Sequence, residues 1–444
     1  MLVFAVFART IGFGLFNDDY FLLRPWTSRQ VLNAFHGQFD QVGYDQTYYR
    51  PLASVSFSAE WGIWGTTRWG YHLTNIAIHA GAVVLLWLLL RRLRVTWWAA
   101  LAGAAFFALV PANVAAVAYI AERTDAMVGL LVCGVLLCVW RYSESRKMSW
   151  LLSAVGLYII SLLCKEVATA TVPFVAAFWL YLRMQDGDVG GSEPTPAGVL
   201  AHWAAEARAV GRGLRSSWTQ WVRTLGPFVI VTIVYLIYRS AVLPADSLSG
   251  RVLKGLGPVR SVFSGFKYTV EGVPWEIHPL PFIPIAVAFV LGFVLQPRSP
   301  AWRVVLLGFC GIVSGVLPLA PSGSVEPRGL YVAEIGFAIA IAGLATVFGT
   351  AFVDRRRYAG VARAAIVGVS VAVAATVAVS HVQSQNLYEP GSAASLSHDL
   401  DTWTNPPFRV AVIPPANLRE IEKHLRDAGL IDAAGNVIVE PGDG

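Results

Sequence analysis

Two adjacent carboxylates, Asp18 and Asp19, follow an apolar N-terminal segment that ends at Phe16-Asn17. A charge beside hydrocarbon is costly, so ionisable residues at the end of a membrane helix are candidates for a functional site. The alternative interpretation is that this acid pair is only the hydrated end of a membrane anchor. Other charged residues on the same side of the membrane would favour the functional interpretation.

Three further charged clusters lie at predicted helix ends on that side. They are Glu122-Arg123-Thr124-Asp125, Lys165-Glu166 and Glu326-Pro327-Arg328. Taken singly, each could be an ordinary turn with interfacial charges. Tight turns, however, hold their charges at membrane depth, where the charges need partners. We therefore expect these cations and carboxylates to meet the acid pair around one shared, outward-facing cavity.

A polar stripe runs along the second predicted span. His72, Asn75 and His79 are spaced by three and four residues, which puts them on one helical face. The two histidines are two turns apart, too far for a compact metal site. We expect hydrogen-bonded residues that line a polar cavity, with a metal-binding pair as the alternative.

The composition predicts a multi-pass membrane protein. Of 444 residues, 55% are hydrophobic and 14% are charged, and the mean hydropathy is +0.55. A soluble domain would carry roughly a quarter charged residues. The net charge of +6 suits cytoplasmic loops, and no basic run is interleaved with aromatic residues, so we expect no nucleic-acid partner. The four cysteines lie in apolar runs and show no zinc or disulfide spacing.

The predicted fold class is all-α, a polytopic membrane bundle of about eleven transmembrane helices. The first apolar segment, residues 1–16, would span only about 24 Å as a helix. A bilayer core needs about 20 residues, so we expect the true start to lie upstream rather than the helix to be tilted. The other spans are predicted at 71–90, 96–114, 124–140, 148–164, 167–183, 225–243, 279–296, 302–320, 329–352 and 361–380.

The loops between these spans predict the topology. Arginines are concentrated in alternate loops, at Arg91, Arg141, Arg298 and Arg355 and their neighbours, and the positive-inside rule places those loops in the cytoplasm. The acid pair then faces outside. The chain divides into a transmembrane module at 1–183 with a long first extracytoplasmic loop at 17–70, a cytoplasmic linker with an amphipathic segment at 184–224, a second transmembrane module at 225–380, and a small extracytoplasmic segment at 381–444.

The C-terminal segment is predicted to be a small α/β unit. A strand is expected at 408–413, a helix from Asn417 to Leu430, and a returning strand at 437–439. Such a unit is too small for a strong core of its own, so we expect it to dock on the membrane domain or its loops.

Six short motifs follow one another in a recognisable order: Phe16-Asn17-Asp18-Asp19-Tyr20, Tyr49-Arg50-Pro51-Leu52, the run from Tyr71 to His79, Arg123-Thr124-Asp125, Cys164-Lys165-Glu166 and Arg328-Gly329-Leu330-Tyr331. In these residues the chain resembles the membrane O-mannosyltransferases that carry tetratricopeptide repeats, which belong to the GT-C glycosyltransferase superfamily. The resemblance covers roughly residues 15–180 and 320–345. It departs from the family in lacking the repeats, in having Val110-Pro111 for a His-Pro, and in having Pro327 directly before Arg328.

The resemblance implies an inverting transfer of a sugar from a polyprenyl-phosphate donor to an acceptor hydroxyl. One member of the acid pair would be the general base, with Asp18 favoured, and the other would orient a partner or bind a divalent metal. Fixed cations would stabilise the leaving lipid phosphate, and residues lining or supporting the cavity complete the site. The cations are Arg123, Lys165, Arg328 and Arg50, and the lining residues are His72, Asn75, His79, Asp125, Glu166 and Tyr331.

The resemblance also indicates mannose as the sugar, with a protein, glycan or lipid as the acceptor. The expected location is a bacterial inner membrane with the active site outside. Two other functions stay open from the sequence. A lipid-linked-sugar flippase would use the same charges but should show inverted repeats, which we do not find. A scaffold subunit of an envelope complex would use the outer loops for docking.

Overall fold

The structure, a computed structural model, describes residues 1–16, 18–37, 48–187, 198–215, 218–243, 282–318, 327–353, 360–404 and 415–438. Regular structure in these ranges is helical, and an isolated antiparallel bridge between Ile431 and Val437 is the one β feature found in them. The all-α prediction is confirmed. The α/β description of the C-terminal segment is not, because the strand expected at 408–413 lies outside the described residues.

The N-terminal part consists of short helices. A five-residue helix and a 3₁₀ turn, Ala8–Gly12, replace the continuous span expected for residues 1–16. The described part of the first loop folds into three further helices, and Pro51 begins the longest of them, where its missing N–H costs nothing. In chain order these are α1 (Leu2–Val6), α2 (Asp19–Leu22), α3 (Ser28–Asn33) and α4 (Pro51–Trp64).

Six helices form the first half of the bundle: α5 (Arg68–Leu90), α6 (Trp97–Leu109), α7 (Ala112–Ala118), α8 (Arg123–Ser145), α9 (Met148–Cys164) and α10 (Thr171–Gly187). The predicted span 96–114 is broken, because α6 and α7 are bent by 61° on either side of Pro111. Proline disfavours helical geometry in the residue before it and has no N–H to continue the ladder. The bend leads the chain into the turn that carries Arg123.

The described second half contains α11 (Val199–Arg215), α12 (Trp218–Val242), α13 (Phe282–Leu295), α14 (Trp302–Val316), α15 (Tyr331–Val353), α16 (Gly360–Asn386), α17 (Ala393–Thr404) and α18 (Pro415–Asp427). The helix expected from Asn417 to Leu430 corresponds to α18, which ends just before Gly429. That glycine has φ +71°, a left-handed conformation that glycine adopts without a Cβ penalty.

Among the described residues, six helices are long and apolar enough to cross a bilayer, or seven if the bent α6–α7 pair is counted as one span. Three more apolar helices, α9, α13 and α14, are shorter than a full crossing. The chain is therefore a multi-pass membrane protein. The count of eleven spans stays a prediction.

The arginine-rich ends of the helices meet at one end of the bundle. Arg94 donates to the carbonyl oxygen of Gln185 at 3.4 Å, and Arg303 forms a fork of two 2.8 Å hydrogen bonds with Glu206 on α11. The linker helix α11 therefore docks on this end. The acid pair and the turns with Arg123 and Lys165 lie at the opposite ends of the same helices.

Close packing of α14 on α15 depends on glycine. A Cβ added at Gly336 would lie 2.4 Å from the Ile312 nitrogen and 2.6 Å from the Gly308 carbonyl oxygen, and backbone atoms cannot move away cheaply. We expect Gly336→Ala to destabilise the fold by about 1–3 kcal/mol or more. Thermal unfolding in detergent measures the effect. Gly156→Ala on α9 is the matched control, since no atom lies within 4 Å of its added Cβ, and equal stability of the two variants would contradict the prediction.

Candidate functional site

The site is built around residues 119–125, which we call the hub turn. It consists of Tyr119, a 3₁₀ helix at Ile120–Glu122 and the first turn of α8. Asn75 fixes this turn, because its buried side-chain amide donates to the carbonyl oxygens of Val117 at 3.2 Å and Tyr119 at 3.4 Å. The middle residue of the polar stripe therefore holds backbone in place.

Asp19 is tied to the hub turn through its carboxylate. The side chain is fully buried and accepts hydrogen bonds from the backbone N–H of Ala121 at 2.7 Å and of Phe16 at 3.0 Å. Burial raises the pKa of Asp19 well above its usual value, while the two amide hydrogen bonds and the charge of Arg123 act in the opposite direction. Asp19 thus joins the first loop to the cluster that contains Arg123.

Asp18 is placed differently from its neighbour. Its residue is partly exposed, and its backbone N–H donates to the hydroxyl of Tyr119 at 3.0 Å. The Tyr119 ring lies edge-on to Phe16, with 5.1 Å between the ring centroids. The backbone on both sides of Asn17 is therefore held by the hub turn. Within the acid pair, Asp18 is the residue with exposed surface.

Lys165 lies between two carboxylates of the hub turn. Its ammonium group donates to Asp125 Oδ2 at 2.6 Å and to Glu122 Oε2 at 3.1 Å, and all three side chains are nearly buried. Buried charges of this kind are tolerated only when they are paired and hydrogen-bonded. The break between α9 and α10 is short, so it delivers Lys165 directly to the hub turn, as its sequence position predicts.

Arg123 is completely buried and forms an ion pair with Glu60 of α4. The Arg123 Nη1 that forms this ion pair also donates to Ser56 Oγ at 3.1 Å. The guanidinium lies 4.5 Å from the centre of the Phe57 ring. Its Nη2 has no hydrogen-bond partner in the described structure. The first loop and the hub turn are therefore joined by a charge pair as well as by Asp19.

Arg50 binds Glu166 through a fork of two hydrogen bonds. Its Nη2 and Nε lie 3.0 and 3.3 Å from the two carboxylate oxygens, and its guanidinium is 4.2 Å from the centre of the Tyr48 ring. Although burial alone would lower it, the pKa of Arg50 is raised above its ordinary value by the Glu166 charge. The Arg50 side chain keeps 10% exposure and that of Lys165 9%, against 0% for Arg123.

The two histidines of the stripe are buried at separate places. His79 Nδ1 lies 2.5 Å from the hydroxyl of Tyr331, so it supports the start of α15. His72 packs edge-on against Phe13, with 6.5 Å between the ring centroids. Each residue of the polar stripe thus contacts a different neighbouring element. It does not bring its histidines together.

Arg328 lies in the 3₁₀ turn Pro327–Leu330 that leads into α15, and its side chain is outside the described residues, as is Glu326. The structure does place Tyr331, three residues later, against His79 and against Gly129 of α8. Among the described residues, no group of three or more His, Cys, Asp or Glu side chains is arranged to hold a metal ion.

The cations of the cluster are already matched by carboxylates. Glu60, Glu122, Asp125 and Glu166 surround Arg50, Arg123 and Lys165. An anionic ligand would therefore have to compete with these carboxylates, and it could do so at the edge of the cluster rather than at the fully buried Arg123.

Sequence reasoning missed several groups near the site. Glu60 was one, although a lone carboxylate in the apolar run from Phe57 to Trp61 signals a buried partner. Arg239, buried near Tyr235 on α12, was another. Asp399 and His424 of the C-terminal segment carry no such signal, because their contacts are made only in three dimensions.

Comparisons with known proteins give similarity over part of the chain. No family model matches it. It is 31% identical over 207 residues to protein O-mannosyl-transferase Tmtc2 of Drosophila melanogaster, which is 42% of this chain and 22% of that protein. It is 36% identical over 178 residues to Tmtc1 of the same organism, 38% of this chain and 20% of that protein. The chain resembles the protein O-mannosyl-transferases.

The similarity extends to vertebrate proteins of the same name. Human protein O-mannosyl-transferase TMTC2 is 30% identical over 173 residues, 37% of this chain and 20% of that protein. The chain thus spans about a fifth of the length of the curated relatives it matches. A solved structure of the archaeal oligosaccharyltransferase AglB from Archaeoglobus fulgidus, with an inhibitory peptide and a dolichol-phosphate, has a TM-score of 0.49 at 14% identity and covers 100% of this chain and 61% of its own.

Proposed function

We propose that the chain is an inverting glycosyltransferase that moves a sugar, with mannose the first choice, from a polyprenyl-phosphate carrier to an acceptor hydroxyl. The observation that carries this proposal is the meeting of the acid pair with the cation cluster. The Asp19 carboxylate accepts a hydrogen bond from the backbone N–H of Ala121, two residues before Arg123 in the hub turn. The O-mannosyl-transferase names of the relatives support the same reaction class.

Asp18 acts as the general base. As the acceptor oxygen attacks the anomeric carbon, its proton passes to the Asp18 carboxylate. The new bond joins that oxygen to the anomeric carbon, and the bond between the anomeric carbon and the phosphate oxygen breaks. Polyprenyl phosphate leaves with the bonding electrons. Displacement from the opposite face inverts the anomeric configuration.

Arg50 and Lys165 stabilise the charge that develops on the leaving phosphate. Their side chains lie at the edge of the cluster, and an arginine fork suits a phosphate as well as it suits the Glu166 carboxylate. Arg123 contributes its charge without direct contact with the phosphate, since it is fully buried against Glu60. Arg328, at the start of the turn before α15, is assigned the same role by the family resemblance.

The remaining proposed residues support this arrangement. Asp19 and Asn75 fix the hub turn relative to the first loop, and His79 with Tyr331 fixes the start of α15. Glu166 and Asp125 hold Arg50 and Lys165 in place until the donor phosphate binds.

The site faces away from the cytoplasm in this proposal. The arginine-rich ends of the helices, with Arg94 and Arg303, lie opposite to the acid pair, and the positive-inside rule places such loops in the cytoplasm. The acid pair would then lie at the outer surface of a bacterial inner membrane. There the lipid tail of the donor stays in the bilayer while its sugar meets the acceptor.

The test is sugar transfer by the purified protein in liposomes that contain polyprenyl-phosphate mannose labelled in the sugar. We expect the label to leave the lipid and to appear in an added protein, glycan or lipid acceptor, with inverted configuration by NMR. Movement of the intact labelled lipid across the bilayer without product would replace the proposal by a flippase. If, with every acceptor class tried, the label neither leaves the lipid nor crosses the bilayer with it, the result would favour a scaffold.

A further inference from the structure

The C-terminal segment packs directly on the loop that carries the acid pair. We call its two helices, α17 and α18, the C-terminal clamp. Side chains of the clamp and of the segment that follows it share one buried apolar cluster with residues of the first loop and the hub turn. The cluster includes Leu400, Ile421, Leu425 and Ile431 from the C-terminal side and Leu15, Tyr20, Leu22, Leu23 and Ile120 from the other.

A buried polar chain crosses this contact. The Tyr20 hydroxyl donates to Asp399 Oδ1 at 2.6 Å, and the other oxygen of Asp399 lies 3.2 Å from His424 Nδ1. Asp399 has no exposed surface, and a buried carboxylate needs hydrogen-bonding neighbours such as these two. Tyr20 directly follows the acid pair in α2, and the polar chain therefore fixes the helix that carries Asp19.

Two more contacts hold the same region. Asn417 of α18 donates to the carbonyl oxygen of Leu23 at 3.4 Å, just after α2 ends. Glu420, one turn later, forms an ion pair with Arg68 at the start of α5. The clamp is thus fixed both to α2 and to the helix that carries the polar stripe.

We propose that the C-terminal clamp positions the acid pair, and that the proton on His424 controls how firmly it does so. Protonated His424 holds Asp399, which in turn holds the Tyr20 hydroxyl and the orientation of α2. Deprotonated His424 gives up the charge-assisted part of this contact. The placement of α2 is independent of the proposed function, whereas its effect on sugar transfer rests on that function.

The charges around His424 set the direction of the pH dependence. Its hydrogen bond to Asp399 raises the pKa of His424 above the ordinary value of 6.5, Glu420 acts in the same direction, and burial and Arg68 act against it. A histidine whose pKa is raised by folding stabilises the folded state at low pH, and that stabilisation is lost as the pH rises through the raised pKa. The clamp should therefore loosen on the alkaline side.

Hydrogen–deuterium exchange of residues 18–24, with the full chain in lipid nanodiscs, tests the clamp without a measurement of sugar transfer. At each pH the amide exchange rate of these residues in His424→Gln is divided by the rate in the wild type. This ratio cancels the intrinsic pH dependence of amide exchange. We expect a ratio of roughly fivefold at pH values below the His424 pKa that falls towards one above it. Lys423→Gln, exposed on the same helix, should give a ratio of one throughout.

Tyr20→Phe is the second variant, because it removes only the hydroxyl and keeps the ring in the apolar cluster. It should raise the exchange of residues 18–24 at low pH as His424→Gln does. Wild-type protection in both variants would overturn the clamp. If protection changes as expected but the wild type transfers no sugar, the proposed function fails and the clamp stands.

Where transfer is measurable, a positioning role has a signature that general destabilisation lacks. Wild-type kcat should fall as the pH rises through the His424 pKa, and this step should be missing in His424→Gln, while KM for the lipid donor stays unchanged. An unchanged kcat–pH profile in His424→Gln would contradict the control of the acid pair by this histidine.

Discussion

Replacing Asp18 by asparagine should lower sugar transfer by at least about 10²-fold, because a general base in the transition state contributes on the order of 10²–10⁴. Asp18 is partly exposed whereas Asp19 is buried, so this variant should lower the unfolding temperature less than Asp19→Asn does. The measurement is the initial rate of label transfer in liposomes. The pH dependence of any residual rate should lose the step that reports the base.

Asp427→Asn makes the same chemical change at an exposed position of α18 and should leave the rate unchanged.

Asp19→Asn separates chemistry from positioning. It would turn an amide N–H towards the backbone N–H of Phe16 or Ala121, so both the rate and the unfolding temperature should fall. Full transfer by Asp18→Asn would remove Asp18 from the mechanism. The base would then be Asp19 if Asp19→Asn lost the rate while it kept the wild-type unfolding temperature.

The second large effect concerns the buried pair of Arg123 and Glu60. Arg123→Met leaves the Glu60 carboxylate buried without its partner, and breaking a buried pair from one side costs about 3–5 kcal/mol. We expect a fall of that size in the unfolding free energy, measured by denaturant titration in detergent. The contact between α4 and the hub turn should loosen in this variant, while the hydrogen bond of Asp19 to Ala121 stays in place.

The double variant Arg123→Met/Glu60→Leu removes both charges together. Apolar replacement of a whole buried pair is often neutral or stabilising, so the double variant should recover most of the loss. Arg141→Met, at a half-exposed arginine, should change stability by less than about 1 kcal/mol. If the double variant were as unstable as Arg123→Met, the loss would come from the methionine's packing rather than from the unpaired charge.

Hydropathy and helix-end residues predicted much of the fold. The predicted span 71–90 is α5, and the span 148–164 is α9 with the same limits. These helices follow from their own sequence, since a continuous apolar run must satisfy its backbone internally. The prediction of one span at 96–114 was only partly correct, because Pro111 interrupts the helical hydrogen bonds and divides the segment into α6 and α7. Residues 1–16 were expected to form one helix, and their short helix and 3₁₀ turn instead pack along α5.

The candidate site was predictable in its members more than in its pairing. The sequence placed Lys165 and Arg123 in turns where they need partners, and the structure supplies them. It could not show that Glu60 would pair with Arg123, since the two are joined only after α4 packs beside the hub turn. The same holds for Tyr20 and Asp399, whose contact depends on the path of the whole chain between them.

The Tyr20–Asp399 hydrogen bond joins residues 379 positions apart, which gives the protein a built-in order of maturation. During synthesis Tyr20 leaves the ribosome long before Asp399, which accepts the hydrogen bond from its hydroxyl. A nascent chain halted before residue 399 has every bilayer crossing the sequence predicts, yet α2 is not locked. The locking of α2 therefore waits for synthesis of the C-terminal clamp, which follows all of the bilayer crossings predicted from the sequence.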